Sequence, residues 1–152
     1  MSTTAPAPAT VSAPAAPGSR ALAPLAAVRR IAWLLNAFFW SAFAVIEGVQ
    51  HGWAAGLFAL AFLIAPDLTF LVGIREALGM DLEKGRLQPR AVPYYNTAHR
   101  ALIPLALIVA YVVLPPMQWA PLFAGLCAWL AHISYDRALG LGLRTKEGFQ
   151  RA

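Results

Sequence analysis

MQWAPLFAGLCAWLAHISYD, residues 117–136, decides how the chain is read. Its length suits a helix crossing a hydrocarbon core of about 30 Å at about 1.5 Å per residue. Yet it closes on His132 and Asp136, four positions apart and therefore on one helix face. Tracing that face backwards gives Ala128, Gly125 and Pro121, a stripe of small residues. Small residues let membrane helices approach closely, so this face is expected to turn inward and take His132 and Asp136 with it.

Three more apolar runs precede it. They are IAWLLNAFFWSAFAVIEGVQ over 31–50, AAGLFALAFLIAPDLTFLVG over 54–73, and a third from the Tyr-Tyr-Asn at 94–96 to about Leu114. The expected fold is all-α, an integral membrane four-helix bundle occupying 29–149. Composition agrees: 59% of residues are hydrophobic, 12% are charged and mean hydropathy is +0.59. A soluble domain carries about 25% charged residues. Residues 1–28, rich in Ala, Pro, Ser and Thr, read as a disordered tail, since repeated Pro and few large apolar residues leave little to pack. The lone Cys127 lies within an apolar run and reads as a small packing residue.

Charge orients the spans. Arg20, Arg29 and Arg30 precede the first, whereas the turn at His51 and Gly52 has no Lys or Arg. The middle connector holds Arg75, Lys84, Arg86 and Arg90, Pro-Pro-Met-Gln at 115–118 holds none, and Arg137, Arg144, Lys146 and Arg151 close the chain. Cytoplasmic loops carry the excess of Lys and Arg. Both termini are therefore expected in the cytoplasm, with the protein multi-pass in a bacterial inner membrane and membrane lipids as its surroundings. The net charge of +5 sits between apolar runs instead of forming a patch with interleaved aromatics, so nucleic acid is not expected as a partner. A chain this small admits homo-oligomerisation, without a stoichiometry.

The topology assigns depth to the polar interruptions. Asn36, Asp67, Asn96, His99, His132 and Asp136 all fall near the cytoplasmic ends of their spans, while Glu47 falls near an outer end. Pro66 precedes Asp67 and is expected to bend the second helix at the carboxylate. Charges at membrane depth cost about 2.5 to 3.5 kcal/mol each on insertion scales, so such a layer is expected to be paired, ligating or functional. One reading is a polar belt, with Asp67 or Asp136 paired to Arg100 or Arg137 and the histidines bonding between helices. The other is a site. Asp67, His99, His132 and Asp136 offer two imidazoles and two carboxylates, a donor set for a divalent metal such as zinc, iron or manganese. The same four residues could serve as catalytic acid and base. No HExxH motif accompanies them, so the metal reading rests on their convergence.

APDLTFLVG at 65–73, YYNTAHRALIP at 94–104 and AWLAHISYDRALGLGLR at 128–144 resemble PDLS, YN-x-x-H and H-x-x-x-DR-x-x-G-x-GLK patterns. These are patterns of a bacterial integral-membrane family catalogued as domain of unknown function 4260, small proteins of four helices. The resemblance covers roughly residues 31–149. It implies membrane location and marks Asp67, Tyr95, Asn96, His99, His132, Asp136, Arg137 and Gly140 as pattern positions. It implies no reaction. This chain departs from the pattern with Asn36 where an acid early in the first helix is usual, Leu141 at an aromatic position and Arg144 at a Lys position. It also ends sooner after Phe149 than the family pattern does.

Three functions follow from the residues together. A small membrane enzyme would use the four as a metal-assisted hydrolase on a lipid-like substrate, supported by Asn36, Tyr95, Asn96, Arg100 and Arg137. A transporter or proton relay would use them as stepping stones, although only Glu47 stands on the outer side. A non-catalytic membrane partner would use the polar layer to set helix pairing.

Overall fold

The computed structural model describes residues 19–74, 85–114 and 118–151. Their regular elements are five α-helices and one 3-10 turn, with no strand among the described residues. Helix α1 is Ser19–His51, α2 is Trp53–Ile64 and the 3-10 turn is Asp67–Leu71. Helix α3 is Val92–Ala98, α4 is Leu102–Val113 and α5 is Ala120–Ala138. Residues 1–18 of the expected tail lie outside the described residues. Its last part is helical: α1 begins at Ser19 and continues through Pro24 into the first apolar run. Ala21, Ala23, Ala26 and Ala27 favour that extension, although Pro24, five residues past its start, has no N–H to give the Arg20 carbonyl.

Helix α5 forms the centre, packed against α1, α2 and α4. Its Pro121, Gly125, Ala128 and Ala131 are buried, so the small-residue stripe is an interface. At Gly125 a Cβ would lie 3.0 Å from the Phe62 ring and 3.4 Å from the Phe58 carbonyl oxygen. That spacing lets α2 approach α5 almost backbone to backbone. Cys127 is fully buried there as a free thiol.

Proline divides two of the expected spans. Pro66 has no N–H to return to the Phe62 carbonyl, so α2 stops after 12 residues and the chain tightens into the 3-10 turn. Pro104 likewise withholds the bond to the Arg100 carbonyl, and the third span splits into α3 and α4, bent by 42°. One helix among the described residues, over Pro24–His51, is long and apolar enough to cross a membrane unaided. The bent pair α3–α4 meets the same test together, and α2 is a shorter apolar helix. The outer surface is apolar: Leu35 and Val49 of α1, Leu57 of α2, and Val109 and Val112 of α4 are all exposed.

The end of the chain folds back over α3. Helix α5 closes with a Schellman arrangement, in which the Leu141 N–H donates to the Asp136 carbonyl and the Gly140 N–H to the Arg137 carbonyl. Gly140 adopts φ 84° there, as that turn requires. Beyond it, Gly148 accepts from the Leu87 N–H at 2.9 Å, and Leu87, Ala91, Val92 and Tyr95 form a second small core.

Candidate functional site

Each member of the polar cluster stands at a place where a helix is interrupted or ends. Asp67 opens the 3-10 turn behind Pro66. His99 caps α3 at the break before α4. His132 and Asp136 occupy the last two turns of α5, just ahead of its Schellman end. The proline breaks and the closing turn therefore direct four side chains to one point.

Their separations are the central observation. His99 Nε2 lies 3.4 Å from His132 Nε2. It lies 3.7 Å from Asp67 Oδ1 and 3.4 Å from Asp136 Oδ2. His132 Nε2 lies 3.6 Å from Asp67 Oδ1 and 3.8 Å from Asp136 Oδ2. Asp67, His99 and His132 each offer a ligand atom with all three within 4.8 Å of one another, and Asp136 adjoins both imidazoles. His99 is almost fully buried, His132 and Asp136 are 12% and 16% exposed as side chains, and Asp67 is 52% exposed. The cluster thus opens on the Asp67 side.

The surrounding bonds set the state of His99. Its Nδ1 lies 2.9 Å from the Tyr95 carbonyl oxygen, which can only accept, so Nδ1 carries a proton. In a neutral ring Nε2 then presents a lone pair to two carboxylate oxygens and to the other imidazole. The four groups face one another across a gap that a shared proton or a metal ion would fit. Orientation of a histidine by a backbone carbonyl at its far nitrogen is also the usual support of a metal-binding imidazole. Tyr95 stacks on the His99 ring at 3.9 Å between centroids, and the Arg144 guanidinium lies over the Tyr95 ring at 5.5 Å.

The remaining expected residues take other places. Arg137 pairs with neither carboxylate among the described residues. Its guanidinium donates to the His99 carbonyl at 3.1 Å and to the Leu141 carbonyl at 2.9 Å, tying the α3–α4 break to the end of α5. Asn96 makes a reciprocal pair with the backbone of Arg144: it donates at 2.9 Å and accepts at 2.7 Å. Asn36 stays out of the cluster, donating to Ser134 Oγ at 2.8 Å and accepting from Trp40 at 3.2 Å. Arg100 is exposed, and the belt reading that paired it with Asp67 or Asp136 finds no such ion pair among the described residues. Glu47 pairs with His51 at 2.9 Å, far along α1 from the cluster.

Sequence reasoning missed Trp129, whose indole N–H donates to the Ala98 carbonyl at 2.7 Å and satisfies a group freed by the break. The signal lay in Pro104, which foretells a break whose loose carbonyls need donors.

A family model described as Domain of unknown function (DUF4260) matches residues 30–152, and the chain belongs to that family. Neither a curated protein nor a solved structure matches it.

Proposed function

We propose that this DUF4260 member is a multi-pass bacterial inner-membrane protein whose Asp67, His99, His132 and Asp136 form a divalent-metal centre for hydrolysis of a lipid-like substrate. The observation that carries the metal is the set of five separations between 3.4 and 3.8 Å. A belt joined by direct hydrogen bonds would show about 2.7–3.2 Å. A tetrahedral shell with bonds of about 2.0–2.1 Å has ligand–ligand edges of about 3.3–3.4 Å, and the triangle of Asp67, His99 and His132, with edges of 3.4, 3.6 and 3.7 Å, comes close to one face of it. Two imidazole nitrogens and two carboxylate oxygens suit zinc, iron or manganese.

Within this reading Asp67, His99 and His132 hold the ion, and Asp136 stands beside both imidazoles to complete the shell or to take a proton from water. A bound divalent ion supplies Lewis acidity toward an ester or phosphoryl oxygen and toward water. Tyr95 and Arg137 act through His99, which they stack on and anchor. The exposed flank at Asp67 is the side from which substrate reaches the centre.

Support for the membrane comes from α1, from the bent pair α3–α4 and from the apolar outer surface. A soluble monomer rarely exposes contiguous apolar patches larger than a few hundred square ångström. Charge asymmetry along the chain puts both termini, and with them the cluster, on the cytoplasmic side.

Elemental analysis of the purified full chain tests the centre, with His132→Ala beside it. A stoichiometric divalent ion in the native protein and its loss from the variant are expected. Equal metal content in the two would remove the reading. Release of a head group or fatty acid from bacterial lipid extract by the metal-loaded protein, absent in Asp136→Asn, tests the hydrolysis.

A further inference from the structure

At the end of α5 lies a groove of about 650 Å³ between the start of α1 and the final segment. Arg29, Arg30, Arg137 and Arg151 line it, together with Trp33 and Gln150, and no acidic residue does. Among the described residues no carboxylate pairs with Arg29, Arg30 or Arg151. Converging guanidinium groups repel one another unless an anion sits between them. Their planar forks match the oxygens of a phosphate.

The backbone makes room for this arrangement. A Cβ on Gly140 would lie 2.9 Å from an Arg30 guanidinium nitrogen, so glycine lets Arg30 cross the end of α5. Arg137 is held in place by the His99 and Leu141 carbonyls, and Gln150 donates to the Gly140 carbonyl. Two apolar grooves start from the same arginines. One, of about 470 Å³, runs from Arg29 past Trp33 to Leu102 and Leu105. The other, of about 220 Å³, runs from Arg30 past Ile31 to Leu34.

We infer that this basic groove binds the phosphate of an anionic phospholipid, with acyl chain lying in the grooves that lead from Arg29 and Arg30. The inference rests on the membrane reading above and is independent of the metal centre. A soluble phosphate would use the arginines alone and leave both apolar grooves without a role. Anionic lipids are drawn to basic segments on the cytoplasmic face, and a tryptophan such as Trp33 belongs at that interface.

The test uses the full chain purified in detergent, with phosphatidylglycerol, phosphatidylcholine and inorganic phosphate as separate probes. Native mass spectrometry reads lipid retention. The triple variant Arg29→Gln, Arg30→Gln, Arg151→Gln should bind phosphatidylglycerol about a hundredfold more weakly, as three lost surface cations imply. Arg151→Gln alone, at the exposed chain end, should weaken it by about fivefold, and the exposed Lys146→Gln, outside the groove, by less. Unchanged phosphatidylglycerol retention in the triple variant overturns the proposal. So does an equal loss in Lys146→Gln, which would make it general surface charge, or inorganic phosphate binding as tightly as the lipid. Membrane association resistant to carbonate wash is measured in parallel. Its absence would overturn the membrane reading itself, whereas its presence with unchanged retention overturns the groove alone.

Discussion

His99 and His132, 33 residues apart in sequence, bring their Nε2 atoms within 3.4 Å of each other. Two imidazoles can share one proton across such a gap, but the flanking carboxylates of Asp67 and Asp136 leave room for a larger cation. A metal ion bound to the folded chain alone stabilises it by mass action. A chelator should therefore lower the melting temperature of the native protein in detergent, and added zinc or manganese should restore it. His99→Ala and His132→Ala should abolish both responses. Imidazole ligates only when neutral, so the stabilisation by metal should fade as pH is lowered. A melting temperature indifferent to chelator and metal at neutral pH would contradict the centre.

Asp67 reaches the histidines because Pro66 ends the α-helical ladder and starts the 3-10 turn. Pro66→Ala supplies the missing N–H and lets α2 continue toward Asp67, whose carboxylate would rotate away from the cluster. Metal affinity should fall by about tenfold or more, in the range seen when residues supporting a ligand are altered. Helix content by circular dichroism should hold or rise slightly. Undiminished affinity, measured by titrating the metal against a competing chelator, would mean that the carboxylate is not a ligand.

The four cluster residues were legible because topology and four-residue spacing put them at one depth, and the three-dimensional structure brings them together. Depth says less about direction. Asn36 shares the layer, yet its amide faces α5 and is satisfied by Ser134, a pairing across 98 residues that no local pattern marks. Arg137 was legible as a boundary cation, but its bonds to the His99 and Leu141 carbonyls depend on where two helix ends meet. The helical class followed from apolar runs, whereas hydropathy summed over about 20 residues passes across Pro66 and Pro104. Those prolines turn two continuous runs into broken elements. Pro66 foretells the bend at the carboxylate, and Pro104 carries the same information for the third run.

Gly125 sets the approach of α2 to α5. Its replacement by Leu would drive a side chain into the Phe62 ring, which a Cβ alone would already meet at 3.0 Å. Overpacking of this kind costs about 1–3 kcal/mol. The variant should melt at a lower temperature in detergent, and because α2 leads into the turn bearing Asp67, its metal affinity should fall with it. Gly56→Leu serves as the comparison, since a Cβ there meets nothing within 4 Å. Equal melting temperatures for the two variants would show that the α2–α5 contact is looser than the geometry requires.

Asn96 holds the closing segment by two hydrogen bonds to the backbone of Arg144. Asn96→Ala removes both and leaves the Arg144 N–H and carbonyl in search of partners, at about 1 kcal/mol for each bond or about 2 kcal/mol in all. The segment should then loosen from α3. With it would go the Arg144 guanidinium over Tyr95, and so one support of the ring stacked on His99. Trypsin, which cuts after Arg144 and Lys146, should cleave the variant several times faster than the native chain. Asn96→Asp keeps the acceptor for the Arg144 N–H but turns a second oxygen toward the Arg144 carbonyl, so it should resemble the alanine variant more than the native protein. Native-like protection in both variants would assign the docking of this segment to the Leu87–Gly148 bond instead.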